Sequence, residues 1–237
     1  MRILGTICAR GGSKGVKNKN IRNLDGQPLI SYSIRVLKEW GKADRIVCST
    51  DSPEIARIAN EYGAETPFLR PKDLASDTAG KLPVLQHALR YCEEEEDSRY
   101  DLLVDLQPTS PLRHVADIEQ GFSEFLRTTP DVLYSVCESK ANPYYTMVEL
   151  DSDDNARPSK LLPQEVTRRQ DAPKVYTING SIYFYNRDHL LLTDGFHTEK
   201  ERVFVMEEVK SVDIDSELDF EFVEFLLKTK HFKFDFG

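Results

Sequence analysis

Residues 3–9 read ILGTICA, and residues 10–22 continue as RGGSKGVKNKNIR. The first stretch is a short apolar run, which is the pattern of a strand buried on both faces of a sheet. The second stretch holds five cations and no acidic residue. A buried strand that leads directly into a glycine-rich loop is typical of open α/β sheets, whose ligands bind at the carboxyl ends of the strands.

Strand-like and helix-like patterns alternate from this point to about residue 138. Further strands are predicted by apolar runs at 45–50, 64–69, 101–107 and 131–137. Apolar residues at helical spacing predict helices at 28–40, 53–62, 82–93 and 116–127, with Gly41 and Gly63 as helix stops. Repeated strand–helix units of this kind predict a parallel sheet that is covered by helices on both faces.

The pattern changes after residue 138. Residues 139–174 are polar and rich in turn-forming residues, whereas residues 175–185 (VYTINGSIYFY) form a long apolar run with Asn-Gly inside it. Asn-Gly often marks a hairpin turn, but the length of the flanking run favours one bent strand. A strand at 202–206 and a helix at 215–228 follow. We expect a single three-layer α/β domain over residues 1–237, with an excursion at about 139–178.

Composition excludes several classes of function. The 237 residues are 40% hydrophobic and 30% charged, and the net charge is -9. An acidic total argues against broad binding of nucleic acids or anionic membranes, which need clustered positive charge. No apolar run approaches the ~18 residues of a membrane-spanning helix, and the start of the sequence lacks the pattern of a secretory signal. The sequence therefore predicts a cytoplasmic protein.

The cysteines and histidines lack metal-site spacing. The four cysteines form no CxxC pair, and the five histidines form no HExxH motif. We expect the cysteines to be reduced, largely buried thiols, because free cysteine packs as a small hydrophobic residue. Metal chemistry, if the protein has any, must come from carboxylates.

The loop at residues 10–22 predicts a binding site for a polyphosphate. Its three glycines allow backbone N–H groups to approach an anion closely, and its lysines and arginines add positive charge. It is neither a GxxxxGK[ST] loop nor a GxGxxG loop. The alternative is a solvated basic loop, although mutual repulsion of five cations makes such a loop hard to explain by stability alone.

Two carboxylates near the end of the sequence are candidate metal ligands. In the segment SVDIDSE at 211–217, an extended backbone places Asp213 and Asp215 on the same face. Such a pair suits Mg²⁺, which prefers oxygen ligands and nucleotide phosphates. The alternative is helix capping, because Ser216 and Asp219 resemble a capping box. Capping accounts well for Asp215 and poorly for Asp213, so both interpretations stay open.

Three further polar features lie at the ends of predicted strands. Residues 106–113 (LQPTSPLR) form a proline-stiffened loop in which Gln107 could contact a base or a sugar hydroxyl, or could simply belong to a structural turn. Residues 70–79 (RPKDLASDTA) follow another strand. Asn179 lies inside an apolar strand and needs hydrogen-bond partners. Those partners could be a substrate or neighbouring groups of the protein.

Taken together, these segments resemble a known family. ARGGSKGVKNKN, RPKDLASDTA, LQPTSPLR, NGSIY and SVDIDSELD occur here in the order seen in the acylneuraminate cytidylyltransferases, or CMP-sialic acid synthetases, including the bacterial legionaminic acid branch. The resemblance spans roughly residues 3–225. It implies a nucleotide-diphospho-sugar-transferase-like (Rossmann-like) fold and a homodimer. It also implies the transfer of CMP from CTP to a nonulosonic acid, with release of pyrophosphate.

The resemblance also implies roles for individual residues. The CTP phosphates would be held by Arg10, Gly12, Ser13, Lys14, Lys19 and Asn20, with Arg10, Lys14 and Lys19 as the catalytic cations. Cytosine would be recognised by Arg70 and Ala79, and the sugar by Gln107, Arg169, Asn179 and Tyr183. Asp213 and Asp215 would hold Mg²⁺. The excursion at about 139–178 corresponds to the family's dimerisation arm, so Arg169 could serve the neighbouring subunit's site.

Two positions depart from the family's pattern. Close sialic acid synthetases often have an arginine just before the Asn-Gly motif, where this sequence has Thr177 and Ile178. Lys81 stands where a small polar residue can touch the base. The first departure leaves sialate, legionaminate and, further behind, other 3-deoxy acid sugars such as pseudaminate or an octulosonate as alternative substrates. A non-catalytic CTP sensor is the alternative from another class, but it would not need both aspartates.

Overall fold

The apolar runs form the strands of a six-stranded sheet. They are apolar on both sides because helices cover both faces of that sheet. The computed structural model describes residues 1–12, 15–76, 78–164, 166–195 and 197–236. In the described residues the strands are β1 (Ile3–Cys8), β2 (Asn23–Leu24), β3 (Gln27–Pro28), β4 (Arg45–Ser49), β5 (Leu102–Leu106), β6 (Val132–Glu138), β7 (Val148–Leu150), β8 (Ala156–Pro158), β9 (Tyr176–Asn186) and β10 (Glu201–Val205).

The helices end where the sequence provides caps. The α-helices are α1 (Leu29–Trp40), α2 (Pro53–Tyr62), α3 (Lys81–Glu96), α4 (Val115–Thr128), α5 (Arg187–Leu192) and α6 (Glu217–Lys228). Short 3₁₀ turns lie at Lys19–Ile21, Lys72–Ala75, Arg169–Asp171 and Glu208–Ser211. The Ser52 hydroxyl accepts a hydrogen bond from the Ile55 N–H at the start of α2. Gly41 and Gly63 end α1 and α2 in the left-handed conformation, as predicted.

The sheet has the order β10-β6-β9-β5-β1-β4 and is mostly parallel. β1 runs parallel to β4 and β5, and β10 runs parallel to β6. β9 is antiparallel to both of its neighbours, β5 and β6. Asn179 and Gly180 lie inside β9, opposite an irregularity in β6 between Tyr134 and Val136. The expectation of one bent strand rather than a hairpin is therefore confirmed.

Helices on the two faces complete the three predicted layers. On one face, Ile34 of α1, Ile55 of α2 and Phe122 of α4 pack into a common apolar core with the sheet. On the other face, Leu85 of α3 and Leu190 of α5 pack against the sheet. A separate apolar cluster joins α6 to the segment around β2, to Leu112 and to Ile214.

Two predictions about individual elements need correction. The prediction of a strand at residues 64–69 is wrong. Among the described residues, the structure has a single isolated bridge there, between Val47 and Glu65. Pro67 has no N–H to donate to a ladder, and Leu69 is half exposed. Helix α5 was not predicted, because six residues are too few to show helical periodicity.

The excursion contains the small hairpin of β7 and β8 and the 3₁₀ turn at Arg169–Asp171. The four cysteines form no disulfide; Cys48 and Cys92 are buried, whereas Cys8 and Cys137 are half-buried. Within the described ranges, no helix is both long and apolar enough to cross a bilayer.

Candidate active site

A cleft of about 450 Å³ opens where β1 and β5 end. This is the carboxyl edge of the parallel strands, where open α/β sheets bind their ligands. Its lining brings together residues from four of the segments that the sequence singled out. The described lining residues are Cys8, Arg10, Gly15, Lys19, Asn20, Arg70, Leu74, Ser76, Ala79, Gly80, Lys81, Val84, Gln107, Pro108, Thr109 and Asp215.

The basic loop after β1 forms one wall of the cleft. The buried Asn20 closes this loop by donating a hydrogen bond from Nδ2 to the carbonyl of Arg10 at 3.0 Å. The Gly11 N–H donates to Asp51 at 2.9 Å. Gly12 is exposed, and apart from its chain neighbours no described residue lies within 4 Å of the place where a Cβ would stand, so a ligand can approach it. Ser13 and Lys14, both predicted to bind phosphate, lie outside the described residues.

The basic loop is packed against the acidic segment. Lys19 donates from Nζ to the carbonyl of Ile214 at 2.5 Å, and the same Nζ lies 3.4 Å from Asp215 Oδ1. A Cβ on Gly15 would lie 1.9 Å from the carbonyl oxygen of Asp215, so this close approach requires glycine. Residues almost 200 positions apart thus form one structure.

Asp213 and Asp215 differ in their surroundings. Asp213 is half-buried, and Ser110 donates a hydrogen bond to its Oδ1 at 3.4 Å. Burial raises the pKa of the Asp213 carboxyl, and the negative charge of Asp215 raises it as well. The Asp215 side chain is 79% exposed and lines the cleft.

Capping of α6 does not account for the two carboxylates. The Ser216 hydroxyl and the Asp219 carboxylate form the capping box at the start of α6. Neither the Asp213 nor the Asp215 carboxylate is used in that capping box. In the portion of the chain that the structure describes, no group of three or more His, Cys, Asp or Glu side chains is placed to hold a metal. A cation here would need oxygen ligands from a bound molecule in addition to the two aspartates.

A second wall of the cleft comes from residues 70–84. Arg70 is buried, and its Nε donates to the Ser49 hydroxyl at 3.1 Å. The Ala79 N–H donates to the carbonyl of Ser76 at 3.2 Å, which shapes the loop before α3. Leu74 and Val84 add apolar surface to the same wall. A wall of this composition suits a planar heterocyclic ring.

The loop after β5 is fixed by an arginine whose role the sequence did not reveal. Arg113 is fully buried and donates to the Ser181 carbonyl at 2.8 Å, to the Ser33 hydroxyl at 3.1 Å and to the carbonyls of Gln107 and Ser110. Burial lowers its pKa to about 9. The guanidinium thus holds the loop that presents Gln107 to the cleft. The sequence offers one sign of this role: Arg113 directly follows the apolar residues Pro111 and Leu112, which is where a buried arginine could lie.

Three residues predicted to bind the sugar lie outside the lining of this cleft. Asn179 is buried, and its amide is used within the protein: Oδ1 accepts from Ser135 at 2.6 Å and Nδ2 donates to Ser211 at 2.9 Å. Tyr183 packs against Tyr134 and Tyr185, and burial raises the pKa of its hydroxyl to about 12.

Arg169, the third of these, lies in a separate hollow of about 540 Å³ at the base of the excursion. Lys140 and Lys174 line the same hollow. The roles predicted for Asn179, Tyr183 and Arg169 stay predictions.

The α/β fold thus places a basic glycine-rich loop against the acidic segment around Asp215, at the carboxyl edge of its parallel strands. A family model described as Cytidylyltransferase matches residues 4–234. The chain belongs to the cytidylyltransferase family, which confirms the resemblance drawn from its motifs.

Curated relatives match over most of the chain. It is 45% identical to a post-translational flagellin modification protein B of Campylobacter coli, over 97% of this chain and 96% of the relative. It is 44% identical to a CMP-N,N'-diacetyllegionaminic acid synthase of Campylobacter jejuni, with the same shares covered. An N-acylneuraminate cytidylyltransferase of Escherichia coli is 30% identical over 93% of this chain and 51% of that protein.

A solved structure supports the fold. A CMP:2-keto-3-deoxy-manno-octonic acid synthetase complexed with CTP has a TM-score of 0.70 at 17% identity, covering 97% of this chain and all of that one. The predicted nucleotidyltransferase-like α/β fold is confirmed.

Proposed function

We propose that this protein is a nucleotidyltransferase that activates a nonulosonic acid: CTP and the sugar acid give the CMP-sugar and pyrophosphate. The observation that carries the proposal is the contact between the basic loop and the acidic segment at one cleft. That contact brings cations of the loop to Asp215, which lines the cleft, and Lys19 also acts electrostatically on Asp213, which lies outside the described lining. Among the sugars, we favour N,N'-diacetyllegionaminate over N-acetylneuraminate. The support is the identity of 44% to a synthase named for the former and 30% to an enzyme named for the latter.

In this reaction the anomeric hydroxyl oxygen of the sugar attacks the α-phosphorus of CTP. The bond between the α-phosphorus and the bridging oxygen breaks, pyrophosphate leaves, and the hydroxyl proton passes to water. Catalysis of such a step consists mostly of alignment and of neutralising charge on phosphoryl oxygens. Arg10 and Lys19, together with Lys14, would supply positive charge, and the backbone of Gly12 and the side chain of Asn20 would shape the phosphate site.

The two aspartates fit a magnesium ion. Burial raises the pKa of the Asp213 carboxyl and the charge of Asp215 raises it further, and a bound cation would favour the ionised form of both groups. Asp213 and Asp215 would hold Mg²⁺, and the bound ion would neutralise charge on the CTP phosphates. The cation and the nucleotide are then expected to bind cooperatively.

The remaining substrate contacts are assigned to two regions. Arg70 and Ala79 would recognise the base. Gln107 would contact the sugar from the same cleft, with Asn179 and Tyr183 shaping the sugar site from β9. The described lining of the cleft contains no extended basic stripe with stacking aromatics, so we do not propose nucleic acid as a partner.

We also propose a cytoplasmic homodimer formed through the arm at about 139–178. This arm exposes large apolar side chains: Tyr145, Met147, Val148, Leu150 and Leu161 are between 40% and 81% exposed. Arg169 lies on the arm, away from the cleft of its own subunit, which suits a contribution to the partner's sugar site. Sedimentation equilibrium tests this proposal: a monomer at micromolar concentration would contradict it.

Pyrophosphate release tests the reaction itself. The protein is mixed with CTP, Mg²⁺ and one of four sugars: N,N'-diacetyllegionaminate, N-acetylneuraminate, pseudaminate or 3-deoxy-octulosonate. Release with the first sugar is the expected result, and release with a different one reassigns the substrate. If no sugar supports release while CTP still raises the melting temperature, the non-catalytic CTP sensor becomes the better account.

A further inference from the structure

Lys81, the first residue of α3, lines the cleft and is tied to the buried sheet. Its Nζ lies 2.9 Å from Oδ2 of Asp105. Asp105 belongs to β5 and is fully buried, and its other carboxylate oxygen accepts a hydrogen bond from the Thr6 hydroxyl at 3.0 Å. The ammonium is therefore held by an ion pair with a buried residue of the sheet, while 34% of the Lys81 side chain stays exposed.

The anchored group is a permanent donor. Burial disfavours the charged form of Lys81, but the Asp105 carboxylate outweighs this effect and raises the pKa of the amine. An ammonium has three N–H donors and no acceptor. Within the described ranges, Asp105 is the acceptor that forms an ion pair with Nζ, and it can take one of those donors. The group is held in the cleft with hydrogen-bonding capacity left over.

Lys81 lies on the wall that suits a planar ring. It follows Ala79 and Gly80 in the sequence, and it lines the cleft together with the apolar side chains of Leu74 and Val84. The phosphate-binding cations, by contrast, come from the loop after β1. If the phosphates bind at that loop, the base of the nucleotide lies against the apolar wall. A donor on this wall therefore contacts the base, the part that distinguishes one nucleotide from another.

Resting on the proposed use of CTP, we propose that Lys81, held by Asp105, selects cytosine over uracil by donating a hydrogen bond to N3 of the base. N3 of cytosine carries a lone pair, whereas N3 of uracil carries a hydrogen. The Lys81 ammonium has no acceptor. It can donate a hydrogen bond to N3 of cytosine, whereas at N3–H of uracil it meets another donor. A site that hydrogen-bonds one group of its ligand discriminates against a ligand that lacks the matching group, because that hydrogen bond is then lost.

The competing interpretation is that the ammonium attracts the α-phosphate. A phosphate contact would strengthen binding of every nucleoside triphosphate by the same factor. The ratio of the dissociation constants for UTP and CTP separates the two interpretations without any sugar being present. It is measured by isothermal titration calorimetry on the full-length protein with Mg²⁺.

The test uses K81M/D105N, which removes the donor without leaving a buried unpaired carboxylate. We expect CTP affinity to fall by about 10- to 100-fold, the loss typical of one charge-assisted hydrogen bond. UTP affinity should stay the same or improve, so the preference for CTP falls at least about tenfold. K72M is the matched control, because Lys72 is an exposed cation of the preceding 3₁₀ turn and does not line the cleft. It should bind both nucleotides like the wild type.

K81Q keeps the inference testable if the double variant fails to fold. Glutamine can still donate to Asp105 and can also accept from uracil N3–H, so K81Q should bind UTP more tightly than the wild type does. Equal losses for CTP and UTP would assign Lys81 to the phosphates, and unchanged affinities for both nucleotides would leave it a purely structural ion pair. Either result overturns the inference. Failure of the proposed reaction appears separately, as absent pyrophosphate release by the wild type.

Discussion

Replacing Gly15 with alanine should separate the basic loop from the acidic segment. The added Cβ would stand 1.9 Å from the carbonyl oxygen of Asp215 and 3.1 Å from its carbonyl carbon. Both are backbone atoms, so no side-chain rotation can relieve the clash. Restoring a van der Waals contact requires the two backbones to move apart by about 1 Å or more. The Lys19 hydrogen bond to Ile214, which spans the same junction, would lengthen with that movement.

The size of the effect follows from that displacement. A misplacement of about 1 Å in the groups that align a substrate can lower the rate by about 100-fold. Overpacking in a tight contact typically costs about 1–3 kcal/mol. For a chain of this length that corresponds to a fall in melting temperature of roughly 2–12 °C. We therefore expect G15A to lose about 100-fold in kcat/KM while staying folded at 25 °C.

The assay is steady-state pyrophosphate release with CTP and the best sugar of the panel, run beside thermal denaturation. G195A is the matched control: Gly195 is exposed, no described atom lies within 4 Å of the place where its Cβ would stand, and it does not line the cleft. It should keep wild-type activity and stability. If G15A keeps kcat/KM within about threefold of wild type, the contact between loop and acidic segment does not align the substrates, and the reasoning from Gly15 fails.

Three further substitutions address other groups of the site. R10A should lower turnover at least about 100-fold with little change in melting temperature, and near wild-type turnover would remove Arg10 from the phosphate site. D213N should abolish Mg²⁺-dependent pyrophosphate release yet raise the melting temperature of the metal-free protein at pH 7. The pKa of Asp213 is raised in the fold, so its ionised form destabilises the protein at neutral pH, and the gain should shrink as the pH falls and Asp213 becomes protonated. A melting temperature below that of wild type would show that Asp213 stabilises the fold as a carboxylate. R113K should destabilise the protein by about 3 kcal/mol or more, measured by urea unfolding, because an ammonium cannot span the acceptors that the guanidinium fork joins; a loss below about 1 kcal/mol would contradict that reasoning.

The sequence predicted the elements whose signals are local. The periodicity of α2 and its stop at Gly63 could be predicted, because each depends on residues within one or two turns. The direction of β9 was not legible. A strand buried on both faces shows the same apolar run whether it lies parallel or antiparallel to its neighbours.

The same distinction between local signals and long-range contacts applies to the candidate site. Sequence alone suggested the basic loop and the aspartate pair, since glycine spacing and alternating carboxylates carry their chemistry in a few neighbouring positions. It could not indicate that Gly15 touches Asp215, or that Lys81 pairs with Asp105, because these contacts depend on how distant segments meet. Asn179 shows the converse: its need for partners was predicted, and Ser135 and Ser211 meet that need inside the protein.

The antiparallel strand β9 has a consequence for how the molecule is made. It lies between β5 and β6, and each residue pair that it forms with β5 joins positions about 80 apart, as Val104 with Phe184. A ribosome synthesises the chain from its N-terminus, so β5 and β6 emerge long before the strand that belongs between them. The facing edges of β5 and β6 therefore gain their native partner only after residues 176–186 have been synthesised, so the centre of the sheet closes only when β9 joins it.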